Sequence, residues 1–335
     1  MRRFLVYFFM PVAVAAVALA TLLMINAGVT VQSNYWEVEG FRRKLALADI
    51  AEPKLLVVAG SSAYFGMSAQ ALERATGLRS VNLGMQAGLS FDLIADLLKS
   101  RLKAGDVVLL PLEYTYYGNV YSGIRQRTNT LVASVAWSLK PGFLLTLPVS
   151  DWLTFIRHLT FTRLWEGVES YFMPPRDGLL LYRVGGIDRW GDNTIDYRDP
   201  ATPHHLAANL AEELARGLPR VEPDSRRVQD IDKFLNWAQA ADVAVLAAFP
   251  NTFSAPPFEG VALANLQESI REFWRARGIP LVDDAAAATI APNQVTDTPY
   301  HQSPDGAVAR TRRLLQQLCR QTAYCDRQVP HPVPN

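Results

Sequence analysis

The sequence predicts an α/β fold built on a parallel sheet. Between Glu52 and Leu112, short runs rich in valine and leucine alternate with segments of helical periodicity. Such apolar runs, bounded by turn residues, are typical of buried parallel strands, and their alternation with helices favours right-handed crossovers. The predicted strands are Leu55–Ala59, Arg79–Gly84 and Val107–Leu112, and the predicted helices are Ser68–Thr76 and Phe91–Leu102.

The first predicted strand ends in a tight turn that carries two hydroxyl groups. Gly60 closes the strand, Ser61 and Ser62 follow it, and the next helix ends at Gly77, a residue that commonly terminates helices. Open α/β sheets bind ligands at the carboxyl edge of their strands, and a serine held there can act as a nucleophile. The alternative is that both serines only satisfy turn and cap hydrogen bonds.

The same alternation returns in the last third of the chain. A final helix is expected after Ser303, where serine supplies a cap, proline the first turn and an acid follows. The elements predicted before it are a helix around Arg226–Ala240, a strand at Val243–Phe249, a helix at about Leu263–Arg277 and a short strand at Pro280–Asp283.

The first 30 residues predict a membrane anchor. Arg2 and Arg3 precede an uncharged apolar run from about Phe4 to Gly28, and roughly 20 apolar residues suffice to cross a bilayer. This length favours an uncleaved signal anchor, although alanine-rich positions resemble a cleavage site. The amino-terminal charges place the rest of the chain outside the inner (cytoplasmic) membrane of a bacterium, in the periplasm or at the cell exterior. Residues 31–52 are then a juxtamembrane connector.

Composition narrows the possible partners and cofactors. The chain has 335 residues, 33 of them basic and 32 acidic, and no basic patch with interleaved aromatics, so no nucleic-acid partner is predicted. No cofactor or metal site is predicted either, because the adjacent His204 and His205 lack spaced acidic or cysteine partners. Cys319 and Cys325 form a disulfide if their compartment is oxidising and are ordinary thiols if it is reducing.

An irregular, aromatic-rich segment at about 114–222 interrupts the strand–helix pattern. We interpret it as a mostly helical insert in a domain that spans 53–325, followed by a loose tail at 326–335. Its aromatic side chains could stack on sugar rings that occupy a cleft. The alternatives are that they form the core of the insert or enter the membrane interface, where such rings are enriched.

Several polar residues fall at the carboxyl ends of predicted strands or in loops beside them. A serine needs a base to become a nucleophile, histidine is the usual base, and a carboxylate orients it. Backbone N–H groups beside the serine and at the second turn could bind an oxyanion. The residues concerned are Ser61, Ser62, Asn82, Gly84, Glu113, Tyr114, Asp297 and His301.

These blocks resemble those of the SGNH (GDSL-type) hydrolase superfamily. Gly60-Ser61-Ser62 stands at the nucleophile block and Val81-Asn82-Leu83-Gly84 at the second block. The last block, Asp297-Thr-Pro-Tyr-His301, is one residue longer than usual. Leu110-Pro-Leu-Glu113-Tyr114 replaces the Gly-x-Asn-Asp of the third block, so the usual side-chain oxyanion donor is missing or replaced. The resemblance covers about Glu52–Leu112 and Asp230–Leu318.

The resemblance implies a flavodoxin-like three-layer α/β/α fold and assigns roles to these residues. Ser62 would be the nucleophile, His301 the base and Asp297 its partner. The oxyanion hole would be formed by Ser62, Gly84 and Asn82. Ser61, Glu113 and Tyr114 would line a substrate cleft.

The anchored branch of the superfamily includes proteins of alginate O-acetylation and teichoic-acid D-alanylation. The resemblance therefore implies an extracytoplasmic serine esterase or O-acyltransferase, usually for acetyl groups, that acts on a cell-envelope polysaccharide. It also implies a polytopic membrane acyltransferase as a partner. One alternative is a catalytically weak domain that binds glycan or scaffolds a polysaccharide export or modification complex. Another is a lipase-like esterase whose aromatic insert covers an acyl chain.

Overall fold

Four short parallel strands form the main sheet of this computed structural model, which describes residues 2–118, 129–178, 181–197, 218–253, 261–298 and 300–325. The strand order is β2-β1-β3-β4, and Val57 lies opposite both Asn82 and Leu109. The strands are β1 (Lys54–Val57), β2 (Arg79–Asn82), β3 (Val107–Leu110) and β4 (Ala244–Ala247). The predicted α/β fold with a parallel sheet is confirmed.

The described helices match the predicted ones closely where caps are present. Ser68 Oγ accepts the Ala71 N–H of the fourth helix, and Gly77 ends that helix in the left-handed region at φ +68°. The helices are α1 (Arg2–Asn26), α2 (Tyr35–Leu47), α3 (Ser61–Tyr64), α4 (Ala69–Thr76), α5 (Phe91–Lys99), α6 (Thr130–Leu139), α7 (Val149–His158), α8 (Phe161–Glu169), α9 (Arg226–Ala240), α10 (Val261–Ala276) and α11 (Pro304–Gln321).

The predicted short strand at Pro280–Asp283 is reduced to a single parallel bridge, between Leu281 and Ala247, with hydrogen bonds from the Ala247 N–H to the Pro280 carbonyl and from the Val282 N–H to the Ala247 carbonyl. Proline lacks the N–H that would continue the ladder, and the Asp283 carboxylate turns to the buried Arg310 guanidinium and to the Phe249 N–H. The sequence patterns also missed a small pair of parallel strands, β5 (Thr252–Phe253) and β6 (Thr289–Ile290).

The chain divides into two compact units. The first unit comprises Met1–Glu39 and Thr128–Asp177, and the second comprises Gly40–Arg127 and Gly178–Asn335. The first contains α1, α6, α7 and α8, whereas the second contains the sheet. In the second unit α4 packs with α11 and α5 packs with α9. Parts of the predicted insert (119–128, 179–180 and 198–217, with His204 and His205) and the tail 326–335 lie outside the described residues.

Helix α1 is long and apolar enough to cross a membrane. Its segment Phe9–Asn26 has 18 residues with a mean hydropathy of 2.1, and 6% of it is buried. At the other end of the chain, Cys319 and Cys325 are joined by a disulfide, the first of the two states considered for these cysteines.

Candidate active site

Ser62 lies in the first turn after β1, where neighbouring residues fix its backbone but not its hydroxyl. Gly60 is the N-cap of α3, the Ser62 N–H donates to Glu113 Oε1 at 2.8 Å, and Asn251 Nδ2 donates to the Ser62 carbonyl at 2.6 Å. The Ser62 side chain is buried, and its Oγ has no hydrogen-bond partner in the part of the chain that the structure describes. The adjacent Ser61 is 8% exposed. Ser62 thus presents a hydroxyl with no competing bond, in a position sealed from solvent.

His301 and Asp297 form a hydrogen-bonded pair. His301 Nδ1 lies 2.7 Å from Asp297 Oδ1, and the His301 side chain is buried. The loop closes on itself, because the Thr296 N–H donates to the His301 carbonyl and the His301 N–H donates to the Thr298 carbonyl. Pro299, which stands in that loop, lies outside the described residues.

Tyr182 and Phe65 complete the surroundings of His301. The Tyr182 hydroxyl donates to Asp297 Oδ2 at 2.5 Å, and burial together with the Asp297 charge raises the pKa of Tyr182, which keeps it a neutral donor. The Phe65 ring lies 4.3 Å from the His301 ring, centroid to centroid. Because Phe65 directly follows α3, this contact brings the imidazole to the turn that carries Ser62. No hydrogen bond joins His301 to Ser62 Oγ in this structure.

The pKa of Asp297 reflects these contacts. Burial would raise it, but the hydrogen bond and charge of His301 and the hydrogen bonds from Tyr182 and Thr296 lower it to about 2. An aspartate with these partners remains ionised at neutral pH. It can therefore orient an imidazole and stabilise the imidazolium form, which is the role that a carboxylate plays beside a catalytic histidine.

This lowered pKa predicts an acid-dependent loss of stability. The pKa of Asp297 is about 2 in the folded chain and about 3.9 in an unfolded one. Its ionisation therefore stabilises the fold above the unfolded value, and the gain is lost as pH falls towards 2. We expect Asp297→Asn to lose less stability than the wild type between pH 4.5 and 2.5, measured by urea unfolding. Asp305→Asn, which removes an exposed carboxylate of α11, is the control. Equal acid sensitivity in wild type and Asp297→Asn would contradict the prediction.

The three groups predicted to bind an oxyanion are brought together, but each is engaged within the protein. The Ser62 N–H donates to Glu113, and the Gly84 N–H donates to Asn82 Oδ1 at 3.0 Å. The Asn82 amide donates to the Ala63 and Met67 carbonyls at 2.9 and 3.1 Å. A Cβ at Gly84 would lie 2.5 Å from the backbone nitrogen of Tyr64, so only glycine permits this close approach.

Glu113 is a buried carboxylate at the nucleophile turn. Its Oε2 accepts the Gly60 N–H at 3.0 Å, and its Oε1 accepts the Ser62 N–H. Burial raises the pKa of Glu113, although these backbone hydrogen bonds and the His301 charge act in the opposite direction. Glu113 therefore occupies a backbone donor that an acyl-transfer reaction would need for its oxyanion. Tyr114, by contrast, is directed away into packing: its hydroxyl accepts hydrogen bonds from Thr252 and Gln267.

Two further buried ionisable groups support this end of the sheet, and neither was predicted from sequence. Lys44 Nζ donates to the Gly84 carbonyl at 2.5 Å and lies 4.0 Å from the Tyr64 ring centroid, and burial holds its pKa well below the usual value. Asp192 accepts the Ala69 and Gln70 N–H groups at the start of α4, and burial raises its pKa to about 6. A lysine in the predicted connector and an aspartate in the irregular predicted insert gave no local signal for these contacts.

No group of three or more histidine, cysteine or acidic residues that could hold a metal ion occurs among the residues described. A groove of about 1010 Å³ lies at the opposite, amino edge of the sheet, where Gly105, Asp242 and Gly278 line it. The candidate site is thus a buried hydroxyl, imidazole and carboxylate at the carboxyl edge.

Comparisons with known proteins add no homologue to this description. No protein-family model matches the chain, and no curated protein matches it significantly. The functional proposal is therefore argued from the geometry of the site.

Proposed function

We propose that this protein is a serine esterase or O-acyltransferase that works through an acyl-Ser62 intermediate. The observation that carries the proposal is the 2.7 Å pair of His301 and Asp297, packed through Phe65 against the turn of Ser62. A buried serine hydroxyl, an imidazole and a carboxylate held by a second donor are the components of nucleophilic acyl transfer.

The fold is compatible with this proposal. The strand order 2-1-3-4 is that of the first four strands of flavodoxin-like sheets, in which ligands bind at the carboxyl edge. The helix pairs α4–α11 and α5–α9 are compatible with a helical layer on each face. We therefore propose a flavodoxin-like three-layer α/β/α domain of the SGNH type.

In the proposed reaction His301 Nε2 removes the proton of Ser62 Oγ while Oγ attacks the carbonyl carbon of an acyl ester. The tetrahedral intermediate collapses, the ester C–O bond breaks, and His301 returns the proton to the leaving alcohol. The carbonyl carbon of the acyl-Ser62 ester is then attacked by water or by a sugar hydroxyl, whose proton His301 removes. The bond between the acyl carbon and Ser62 Oγ breaks, and His301 returns the proton to Oγ. Asp297, which is bonded to Nδ1, stabilises the imidazolium in both steps. The oxyanion would lie at the N–H groups of Ser62 and Gly84, which must first leave Glu113 and Asn82.

The setting of the reaction is part of the proposal. We propose that α1 is an uncleaved anchor in a bacterial inner membrane, with the rest of the chain in the periplasm or at the cell exterior. The disulfide between Cys319 and Cys325 fits an oxidising compartment. The acyl group, acetyl in the simplest case, would be transferred to or removed from a cell-envelope polysaccharide, with a polytopic membrane acyltransferase as partner.

A second candidate function is favoured by the backbone N–H groups of the candidate oxyanion site, which already donate hydrogen bonds within the protein. The N–H groups of Ser62 and Gly84 both bond to side chains, and Ser62 Oγ has no bond to His301. A domain that remained in this state would be catalytically weak. Its function would then be to bind glycan or to scaffold a polysaccharide modification complex.

Active-site labelling separates these two functions. The full chain in detergent is treated with a fluorophosphonate, which phosphonylates an activated serine and releases fluoride, and the intact mass is measured. We expect one adduct on the wild type and on Ser61→Ala, and none on Ser62→Ala. If the adduct were lost only in Ser61→Ala, the nucleophile would be Ser61 instead of Ser62. No adduct on any folded variant would favour the binding function.

Turnover of p-nitrophenyl esters then tests which length of acyl group the protein prefers. The proposal predicts faster turnover of the acetyl than of the octanoyl ester, whereas a lipase-like enzyme would prefer the longer chain.

A further inference from the structure

The carboxyl end of α1 is built into the first unit by buried polar contacts. Arg163 of α8 is buried, and its guanidinium donates to Asn26 Oδ1 at 3.3 Å and to the Val29 carbonyl at 2.9 Å. The Gly28 N–H donates to the Trp137 carbonyl at 2.9 Å. The same guanidinium donates to the hydroxyls of Ser134 and Ser138 in α6. Loss of α1 by cleavage would leave the buried guanidinium without one of its acceptors, so these contacts favour a retained helix.

Helix α8 and the residues after it lie directly beside the last turn of α1. A Cβ at Gly167 would lie 1.6 Å from Asn26 Oδ1, so the two helices touch at a glycine. The Tyr171 hydroxyl donates to the Ile25 carbonyl at 2.6 Å. Ile25 is the penultimate residue of the segment that could span a membrane, Phe9–Asn26. Tyr171 is therefore fixed at the level where α1 would leave the hydrocarbon core.

Large apolar side chains are exposed along α8 and in the residues that follow it. We call this set the α8 apolar surface, and it consists of Phe161, Trp165, Tyr171, Phe172 and Met173. Phe172 is 81% exposed and Phe161 is 72% exposed. The Phe161 and Trp165 rings are stacked with centroids 6.4 Å apart, as expected of residues four apart on one helix face. Single exposed apolar residues are ordinary, but a group of this size marks an interaction surface.

We propose that the α8 apolar surface lies in the headgroup region of the bilayer, so that the protein is attached to lipid by α8 as well as by α1. The inference rests on the proposed anchor. Because Tyr171 contacts the last turn of α1, its neighbours lie within a few side-chain lengths of the hydrocarbon boundary once α1 is inserted. Tryptophan and tyrosine are enriched at that boundary, where an apolar ring meets a polar atom. Trp165 fits this environment, since its Nε1 donates to Glu169 while its ring remains exposed.

The composition of the surface indicates which lipid property it recognises. Helix α8 carries Glu166 and Glu169 besides Arg163, and the Arg163 guanidinium is buried. The surface therefore offers aromatic area rather than exposed positive charge, and its attachment should not require anionic lipid. A zwitterionic phosphatidylcholine bilayer is the appropriate probe.

Site-directed fluorescence tests this inference in the full chain reconstituted into phosphatidylcholine vesicles. The two native cysteines form a disulfide, so one introduced cysteine provides a single labelling site. The variants are Phe172→Cys on the α8 apolar surface, Leu19→Cys in α1 and Ala51→Cys at an exposed position of the second unit. Each is labelled with an environment-sensitive dye, and quenching by lipids brominated at shallow or deep acyl positions is compared.

We expect deep quenching at position 19, shallow quenching at position 172 and none at position 51, with the same result in 0.5 M salt. Quenching at position 19 without quenching at position 172 would overturn the inference but would leave the proposed anchor intact. The α8 apolar surface would then be expected to bind a protein partner. Absence of quenching at position 19 would overturn the anchor, and the inference with it. A parallel Met173→Cys variant guards against a local effect of replacing Phe172.

Discussion

Replacement of His301 by alanine is expected to lower the turnover of an activated acetyl ester by at least about a thousandfold, as removal of the base does in serine hydrolases. The hydroxyl of a serine is a weak nucleophile without a base, and the proposed base is His301, whose ring contacts Phe65 directly after the Ser62 turn. Asp297→Asn should lower turnover by a comparable factor, because an amide presents the wrong partner to Nδ1 and favours the wrong tautomer. The measurement is kcat for p-nitrophenyl acetate, with folding checked by circular dichroism.

A control substitution at a second histidine distinguishes loss of the proposed base from a general loss of structure. His158 ends α7 in the first unit, so His158→Ala removes an imidazole without touching the candidate site. It should retain nearly full turnover. If folded His301→Ala kept more than about a tenth of the wild-type rate, the loss would fall far short of the removal of a base. The imidazole would then not be the base, and the reaction scheme would need another group.

Tyr182 is expected to contribute to the candidate site by positioning Asp297. Its hydroxyl holds Asp297 at 2.5 Å, so it positions the carboxylate and does not exchange protons with a substrate. Its role was not predictable, because it lies 115 residues before Asp297 in a segment that we interpreted as an insert. The sequence signal was only an aromatic-rich composition, which fits core packing equally well.

Local patterns predicted what depends on neighbours along the chain. The strands β1, β2 and β3 begin within one residue of their predicted starts and end two residues before their predicted ends, and α9 has the predicted bounds. The predicted serine cap of α11 is confirmed, since Ser303 Oγ accepts the Gly306 N–H at 3.3 Å. Each of these features is set by periodicity or by a single cap residue. The strand at Pro280–Asp283 is shorter than predicted, since Pro280 has no N–H for the ladder and the Asp283 side chain pairs with the distant Arg310.

Contacts within the candidate site depended on residues far apart in sequence. Parallel topology alone predicts that the residues after β1, β2 and β3 meet at one edge, and Ser62, Gly84 and Glu113 do so. Which hydrogen bonds form there was not predictable. Asn251, which is 189 residues away in sequence, donates to the Ser62 carbonyl, and Lys44 donates to the Gly84 carbonyl from the segment that we predicted as a juxtamembrane connector. Such contacts depend on how far a side chain extends and on whether the fold buries it. Neither property follows a periodic pattern along the sequence.

Glu113 supplies the second large prediction. Its carboxylate holds the N–H groups of Gly60 and Ser62 at 3.0 and 2.8 Å, so an oxyanion at Ser62 must displace it. A hydrogen bond to a charged group is worth about 1.5–3 kcal/mol, and each ~1.4 kcal/mol of barrier is a factor of ten in rate. We therefore expect Glu113→Ala to accelerate fluorophosphonate labelling of Ser62 about tenfold or more. The same variant should be less stable by about 1–3 kcal/mol for each buried N–H left without an acceptor.

The matched control is Asp106→Ala. Asp106 is also a buried carboxylate that accepts two backbone N–H groups, those of Lys54 and Lys103, but it stands before β3 at the amino edge of the sheet and does not bond to Ser62, Asn82 or Gly84. It should lose stability without faster labelling. A Glu113→Ala variant that folds and labels at the wild-type rate would show that the Ser62 N–H is not limiting. Slower labelling, with Asp106→Ala unaffected, would make Glu113 a group that the reaction requires. Only acceleration confined to Glu113→Ala fits a carboxylate that occupies the oxyanion donor and must leave it before Ser62 can react.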